Sequence, residues 1–234
     1  MQFESLDFYR EHGKRYSQMS HEFSHSQYDE ISHPKLTGDM AVLNHATDLA
    51  SGKRSLDAGC GAGARDVALL HSRGFEAYGI DAVEENIDLG RKLHPEIADR
   101  ISVADLRKPL QFESGFFDLI LCNAVIQHLS PEDVESTTIP ELARVLAPGG
   151  VLQLMFKVGS GIAEVSDPAF GTDGVDRLFQ LYGEQHLLDL LKDCGCTLVE
   201  ADNDQSLGGL LYFTDHKPMR YCIFWVRKNQ NRSG

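Results

Sequence analysis

Three glycines stand at alternate positions in Ser55-Leu56-Asp57-Ala58-Gly59-Cys60-Gly61-Ala62-Gly63-Ala64, between an apolar run that reads as a strand and a stretch that reads as a helix. Glycine lets backbone approach a ligand closely in such a turn, and the helix start just beyond it offers oriented N–H groups. Gly59, Gly61 and Ala64 satisfy the G-x-G-x-x-G/A spacing of dinucleotide sites, and Asp81 follows at about the 20-residue distance of a ribose-binding acid. The loop therefore points to a nucleoside-bearing ligand, either a dinucleotide or S-adenosylmethionine. A second pattern belongs to another chemistry: His21-Glu22-Phe23-Ser24-His25 reads H-E-x-x-H, in which two histidines one helical turn apart bind zinc and the glutamate acts as a base. Its surroundings are serine-rich and the extended third-ligand pattern is absent, so it reads as a solvated stretch and no metal is expected.

Charge separates the two nucleoside ligands. A pyrophosphate resting on the loop would be repelled by a carboxylate immediately before it, and Asp57 holds that place. S-adenosylmethionine carries an ammonium and a sulfonium and no phosphate, so Asp57 favours it. The alternative for Asp57 is a turn-capping role.

The elements that must hold these residues alternate from Ser55 onward. Strands are expected at 54–58, 76–81, 101–103, 117–123, 150–157, 197–203 and 220–227, and helices at 64–72, 83–93, 131–146 and 184–193, a pattern of parallel strands with crossover helices. Ser130 reads as the N-cap of the third helix with Pro131 at its first position, and Pro148-Gly149-Gly150 as its stop. No helix separates the last two strands, so they should pair antiparallel. Residues 1–50 read as two helical pieces, 3–24 and 35–50, forming a lid over a domain of residues 51–234. The glycine-rich segment 158–176 reads as an irregular substrate-side loop.

Composition narrows the function classes. With 42% hydrophobic and 24% charged residues, the 234-residue chain is neither disordered nor short of a core. No apolar run is long enough to span a bilayer, and the acidic opening lacks a secretory apolar block, so a cytoplasmic protein is expected. A net charge of −13 argues against nucleic acid and anionic membranes as partners. Five scattered cysteines read as reduced thiols.

Taken in order, LDAGCGAGARD, YGIDAVEENI, VADLRKPL, FFDLILCNAVIQHL and LARVLAPGGVLQLMF resemble the class I S-adenosylmethionine-dependent methyltransferases from about Leu56 to Phe156. The resemblance implies a doubly wound, Rossmann-like α/β sheet of seven strands, order 3-2-1-4-5-7-6 with strand seven antiparallel, and S-adenosyl-L-methionine as cofactor. It implies that Gly59, Gly61 and Gly63 cradle the cofactor beside Asp57, and that Asp81 chelates the ribose hydroxyls. Ala82 and Val83 would flank the adenine, Asp105 would accept from its amino group and the Leu106 amide would face a ring nitrogen. Asn123 would meet the methionine portion, and Tyr16 would cover the cofactor. Gln127 and His128 match a polar-His-Leu element of small-molecule members, with His128 as general base or as a structural histidine capping the turn before Ser130. Tyr28, His33, Lys157, Arg177 and Tyr182 are candidates for the acceptor pocket. The expected activity is methyl transfer to a small molecule, at oxygen or nitrogen rather than carbon. A tRNA-directed methyltransferase, an NAD-dependent oxidoreductase and a non-catalytic S-adenosylmethionine-binding protein are the alternatives, and the oligomeric state is left open.

Overall fold

The computed structural model describes residues 5–23, 27–167, 175–201, 207–214 and 219–230. In chain order the elements are α1 (Ser5–Phe23), α2 (Asp39–Leu49), β1 (Arg54–Ala58), α3 (Arg65–Ser72), β2 (Glu76–Asp81), α4 (Glu84–Leu93), β3 (Ile101–Val103) and β4 (Phe117–Asn123). They continue with α5 (Pro131–Asp133), α6 (Ile139–Val145), β5 (Leu146–Lys157), β6 (Ile162–Asp167), β7 (Val175–Gln180), α7 (Glu184–Asp193), β8 (Cys196–Leu198), β9 (Leu210–Thr214) and β10 (Arg220–Lys228). The main sheet runs β3-β2-β1-β4-β5-β10-β8, with β10 antiparallel to its neighbours. With β10 and β8 as the expected strands seven and six, this is the order read from the sequence.

Strands buried on both faces read as unbroken apolar runs, and β4 shows why. Leu119 and Leu121 point to one core, with Val67, Leu70 and Ile87 of the α3 and α4 side, while Ile120 and Cys122 point to the other, with Leu142, Leu187 and Leu191. In β10, Ile223 and Trp225 join the first core and Cys222, Phe224 and Val226 the second. The chain reverses its winding between β1 and β4, where open α/β sheets bind ligands beyond the carboxyl ends of their strands.

Four details depart from the sequence expectation. Residues 158–176 are not wholly irregular: β6 and β7 form an antiparallel ribbon, their alternating side chains outweighing the glycines around them, and 168–174 lie outside the described residues. A further strand, β9, pairs with β10 between the last two expected strands, where none was expected, because Leu-Leu-Tyr-Phe-Thr is strongly strand-forming. The third crossover helix is interrupted by a π-turn at Val134–Thr138, just before Pro140, whose missing N–H cannot continue the α-pattern. That helix also ends at Val145, before the Pro148 stop, and Lys228 Nζ donates to the carbonyls of Ala143 (2.6 Å) and Leu146 (2.8 Å) there. As expected, Ser130 caps α5, its hydroxyl accepting from Asp133 N at 3.1 Å. Among the described residues no helix is long and apolar enough to cross a membrane.

Trp225 is fully buried, and its indole N–H donates to Gln153 Oε1 at 2.7 Å. Trp225→Ala is expected to cost about 3–5 kcal/mol of stability, read as a lower midpoint in urea unfolding.

Candidate active site

The glycine loop leaves β1 with Gly59, Gly61 and Gly63 all at positive φ (+87°, +64° and +98°). Gly59 N and Cys60 N donate to the Ile80 carbonyl at 2.8 and 2.9 Å, tying the loop to the end of β2. A Cβ on Gly59 would lie 2.4 Å from a Val125 methyl, whereas one on Gly61 would meet nothing within 4 Å. Gly63 faces the lid side instead: its Cβ position is 2.9 Å from Ser17 Oγ of α1.

Asp81, at the end of β2, is gripped from three directions. Gly61 N donates to Oδ2 at 2.9 Å, while Val83 N (2.9 Å) and Asn86 Nδ2 (3.1 Å) donate to Oδ1. Burial raises its pKa, and these hydrogen bonds oppose that shift. Asp105, beyond β3, is held by Arg107: Nη2 donates to Oδ2 at 2.8 Å and Nε to Oδ1 at 2.9 Å. Burial works against its charge, but the Arg107 hydrogen bonds outweigh it and hold the carboxyl below its usual range. Asn123 closes β4, its Oδ1 accepting from Gln153 Nε2 at 2.8 Å, and Ala124 follows at φ +57°.

His128 lies in a short 3₁₀ turn, Ile126–His128, with Nε2 3.0 Å from Tyr9 Oη of α1. Arg177 Nη2, from β7, donates to the same phenol oxygen at 2.6 Å. With that donor in place we assign the phenol proton to Nε2, so the imidazole proton sits on Nδ1. Burial, reinforced by the positive charges of Arg177 and Lys157, pushes the His128 pKa down to about 3. Burial likewise keeps the Tyr9 and Tyr16 phenols protonated.

These groups surround a cavity of about 230 Å³ that is continuous with solvent. Of the residues proposed from sequence, Tyr16, Gly59, Gly61, Asp81, Ala82, Val83, Asp105, Leu106, Asn123 and His128 line it. Asp57 and Gly63 do not. Asp57 is 5% exposed behind the loop, and burial together with the nearby Asp66 and Asp81 charges lifts its pKa well above the usual carboxylate range. The wall also holds Tyr9, Asn86, Arg107, Val125 and Asp133, which sequence reasoning missed. Asn86 had a usable signal, one turn into the helix after Asp81; Tyr9 had none, being 119 residues from His128.

The five pocket candidates are dispersed. Tyr28 donates to Asp39 Oδ1 at 2.6 Å and stacks on Phe213; Tyr182 donates to the Leu129 carbonyl at 3.0 Å; His33 Nδ1 accepts from Lys35 N at 3.4 Å. Lys157 donates to Tyr221 Oη, and Arg177 reaches Tyr9 behind the cavity wall. Among the described residues no three metal-ligating side chains gather. His25 lies outside the described residues, as does the side chain of His21.

Two outcomes follow from this geometry. Gly59→Ala combines backbone strain with a clash and should cost about 2–5 kcal/mol, against about 1–2 kcal/mol for Gly61→Ala, measured by urea unfolding. His128 binds a proton in the unfolded chain below about pH 6.5 but in the native state only near 3. Between those values its burial makes stability fall as pH falls, by up to about 1.4 kcal/mol per pH unit, and His128→Gln should remove that component of the slope.

Residues 56–154 match a protein family described as a methyltransferase domain. A probable pectin methylesterase of Arabidopsis thaliana, CGR3, is 35% identical over 88 residues, covering 36% of this chain and 33% of that protein, so the chain spans about a third of that relative's length. Two solved structures share the fold. The 1,6-didemethyltoxoflavin-N1-methyltransferase of Burkholderia thailandensis, solved with 1,6-didemethyltoxoflavin and S-adenosylhomocysteine, is 20% identical with a TM-score of 0.57, covering 82% of this chain and 80% of its own. The [4+2]-cyclase SpnF is 15% identical with a TM-score of 0.64, covering 99% and 97%. The sheet order, the glycine loop at the winding reversal and the family match over the same strands together mark residues 56–154 as a methyltransferase domain on this fold.

Proposed function

We propose that the chain transfers a methyl group from S-adenosyl-L-methionine to a small-molecule acceptor, at oxygen or nitrogen. The observation that carries this reading is the charge of the donor end of the cavity: Asp81, Asp105 and Asp133 line it against Arg107 alone. Such a wall suits a ligand carrying an ammonium and a sulfonium and disfavours a pyrophosphate. The open space over Gly61, which a Cβ would enter, lies beside Asp81, where a carboxylate with two acceptor oxygens suits a ribose diol.

When bound, S-adenosylmethionine supplies a methyl group already activated by its sulfonium, so the protein's work is to orient the acceptor and exclude water. In this reading Asp81 binds the ribose, Ala82 and Val83 flank the adenine, and Asp105 with the Leu106 amide receives its polar edge. Asn123 meets the amino-acid portion, and residues 1–50 act as a lid through Tyr9 and Tyr16. His128 is unprotonated throughout the neutral range, but a conjugate acid of pKa about 3 holds an abstracted proton poorly. We therefore assign it a positioning role, accepting the Tyr9 proton and fixing that phenol on the cavity wall. The toxoflavin enzyme, which shares the fold and acts on a small molecule, supports an acceptor of that class. The −13 net charge weighs against a tRNA substrate. SpnF, a cyclase on the same fold, makes a non-transferring protein the second reading.

Calorimetric titration with S-adenosylmethionine, S-adenosylhomocysteine and NAD in parallel tests the donor. The first two should bind and NAD should not; NAD binding alone would move the chain to the oxidoreductases. Asp81→Ala should weaken S-adenosylmethionine by about 1–3 kcal/mol, roughly five- to 150-fold, and unchanged affinity would remove the ribose assignment. Donor binding with no S-adenosylhomocysteine formed across a broad acceptor panel would favour the second reading.

A further inference from the structure

Asp105 starts a tight turn that doubles the chain back on its own side chain. Its carbonyl accepts from Lys108 N at 3.0 Å and its Oδ1 from Arg107 N at 3.0 Å, which folds Arg107 over the carboxylate. The guanidinium then closes on the same group as a fork. Nε donates to Oδ1 at 2.9 Å, with Oδ2 also 3.1 Å away, and Nη2 donates to Oδ2 at 2.8 Å. One residue thereby supplies three N–H groups to a carboxylate with about four acceptor positions. The fork takes the two positions that lie between the oxygens and the backbone takes the outer one on Oδ1, which leaves the outer position on Oδ2. Both residues line the cavity, with the Asp105 side chain 20% exposed.

Resting on the methyl-transfer reading, which gives Asp105 the adenine amino group, we propose that Arg107 is a positioning residue for the base of the donor. It leaves Asp105 a single acceptor position in a fixed orientation, and so makes the site select an aminopurine over an oxopurine. Ionised and pinned, the carboxylate accepts an N–H but can neither donate to a carbonyl oxygen nor turn away from it, so an oxopurine sets oxygen against oxygen. A bidentate, charge-assisted pair is the geometry in which a partly exposed ion pair does hold a group in place. The Arg107 hydrogen bonds keep the Asp105 carboxyl ionised below its usual range, and the charge of Lys108 acts in the same direction. The negative charge of Asp133, also on the cavity wall, acts in turn on Arg107. A lysine here would keep a charge but lose the planar fork that fixes the carboxylate.

The test titrates S-adenosylhomocysteine and its deaminated analogue, S-inosylhomocysteine, into the full-length protein and its variants by calorimetry. The wild type is expected to prefer the amino form by roughly a hundredfold. Arg107→Met, which keeps the apolar stem over the wall, should lower that preference about tenfold or more, the remainder coming from the Leu106 amide at the ring nitrogen. Arg107→Lys should retain only part of the preference, and it carries the test should Arg107→Met not fold. Equal loss of affinity for both ligands in Arg107→Met, the result for a merely structural residue, would overturn the proposal. So would tighter binding of S-adenosylhomocysteine by that variant, the result for a residue that competes for the carboxylate, or a full preference in Arg107→Lys. Wild-type binding of both ligands without preference overturns the proposal and leaves the donor reading standing, whereas binding of neither overturns the donor reading and this inference with it.

Discussion

The carboxylate of Asp81 is the constraint around which the site is arranged. One oxygen fixes the backbone of the glycine loop at Gly61, and the other fixes the start of α4 through Val83 and Asn86. The loop after β1, the end of β2 and the start of α4 are thereby held in register. The price is a carboxylate buried close to Asp57, and burial, which raises the pKa of both acids, is the main cost of their charges. An acid held in place by backbone donors is preorganised, so a ligand that bonds to it need not order it first.

Helix α1 joins the two ends of the cavity. Near its middle Gly13 allows the helix to approach Asn86, where a Cβ would stand 2.9 Å from Oδ1, and Ser17 rests on Gly63 of the loop. One turn earlier Tyr9 reaches across to His128 and Arg177. A single helix thus meets the glycine loop and Asn86 through closely packed small residues and the His128 and Arg177 side chains through a phenol. Its backbone approach explains why Gly63, expected on the cavity wall, faces the helix instead.

Much of the fold was legible because its signals are local. The apolar run Phe117–Asn123, the glycine loop and the Ser130-Pro131 cap each depend on a few consecutive residues, and each stands where the sequence places it. Less legible were features set by competition between signals, such as the β6–β7 ribbon, read as a loop because glycines flank it, and the π-turn before Pro140. In the site, the wall residues carried by strand ends and their turns were recoverable from spacing. The Arg177–Tyr9–His128 chain was not, since it joins residues 168 and 119 positions apart. No periodicity encodes such a meeting; only the packing of α1 and β7 over the sheet creates it. Asp57 shows the reverse case, a carboxyl correctly located in sequence whose burial behind the loop keeps it off the cavity wall and raises its pKa.

Trp225 is the chain's single tryptophan, and its indole is connected to the cavity wall through one side chain. Its N–H bonds to one end of the Gln153 amide, and the other end of that amide bonds to Asn123. Gln153 is fully buried, so the amide cannot turn to water if either partner shifts. The molecule therefore contains its own optical probe: one fluorophore, in a dry site edged by the His45 ring at 4.7 Å, whose hydrogen bond shares an amide with a residue of the cavity wall. A change at Asn123 reaches the emission of Trp225 through that amide, with no second indole to dilute it.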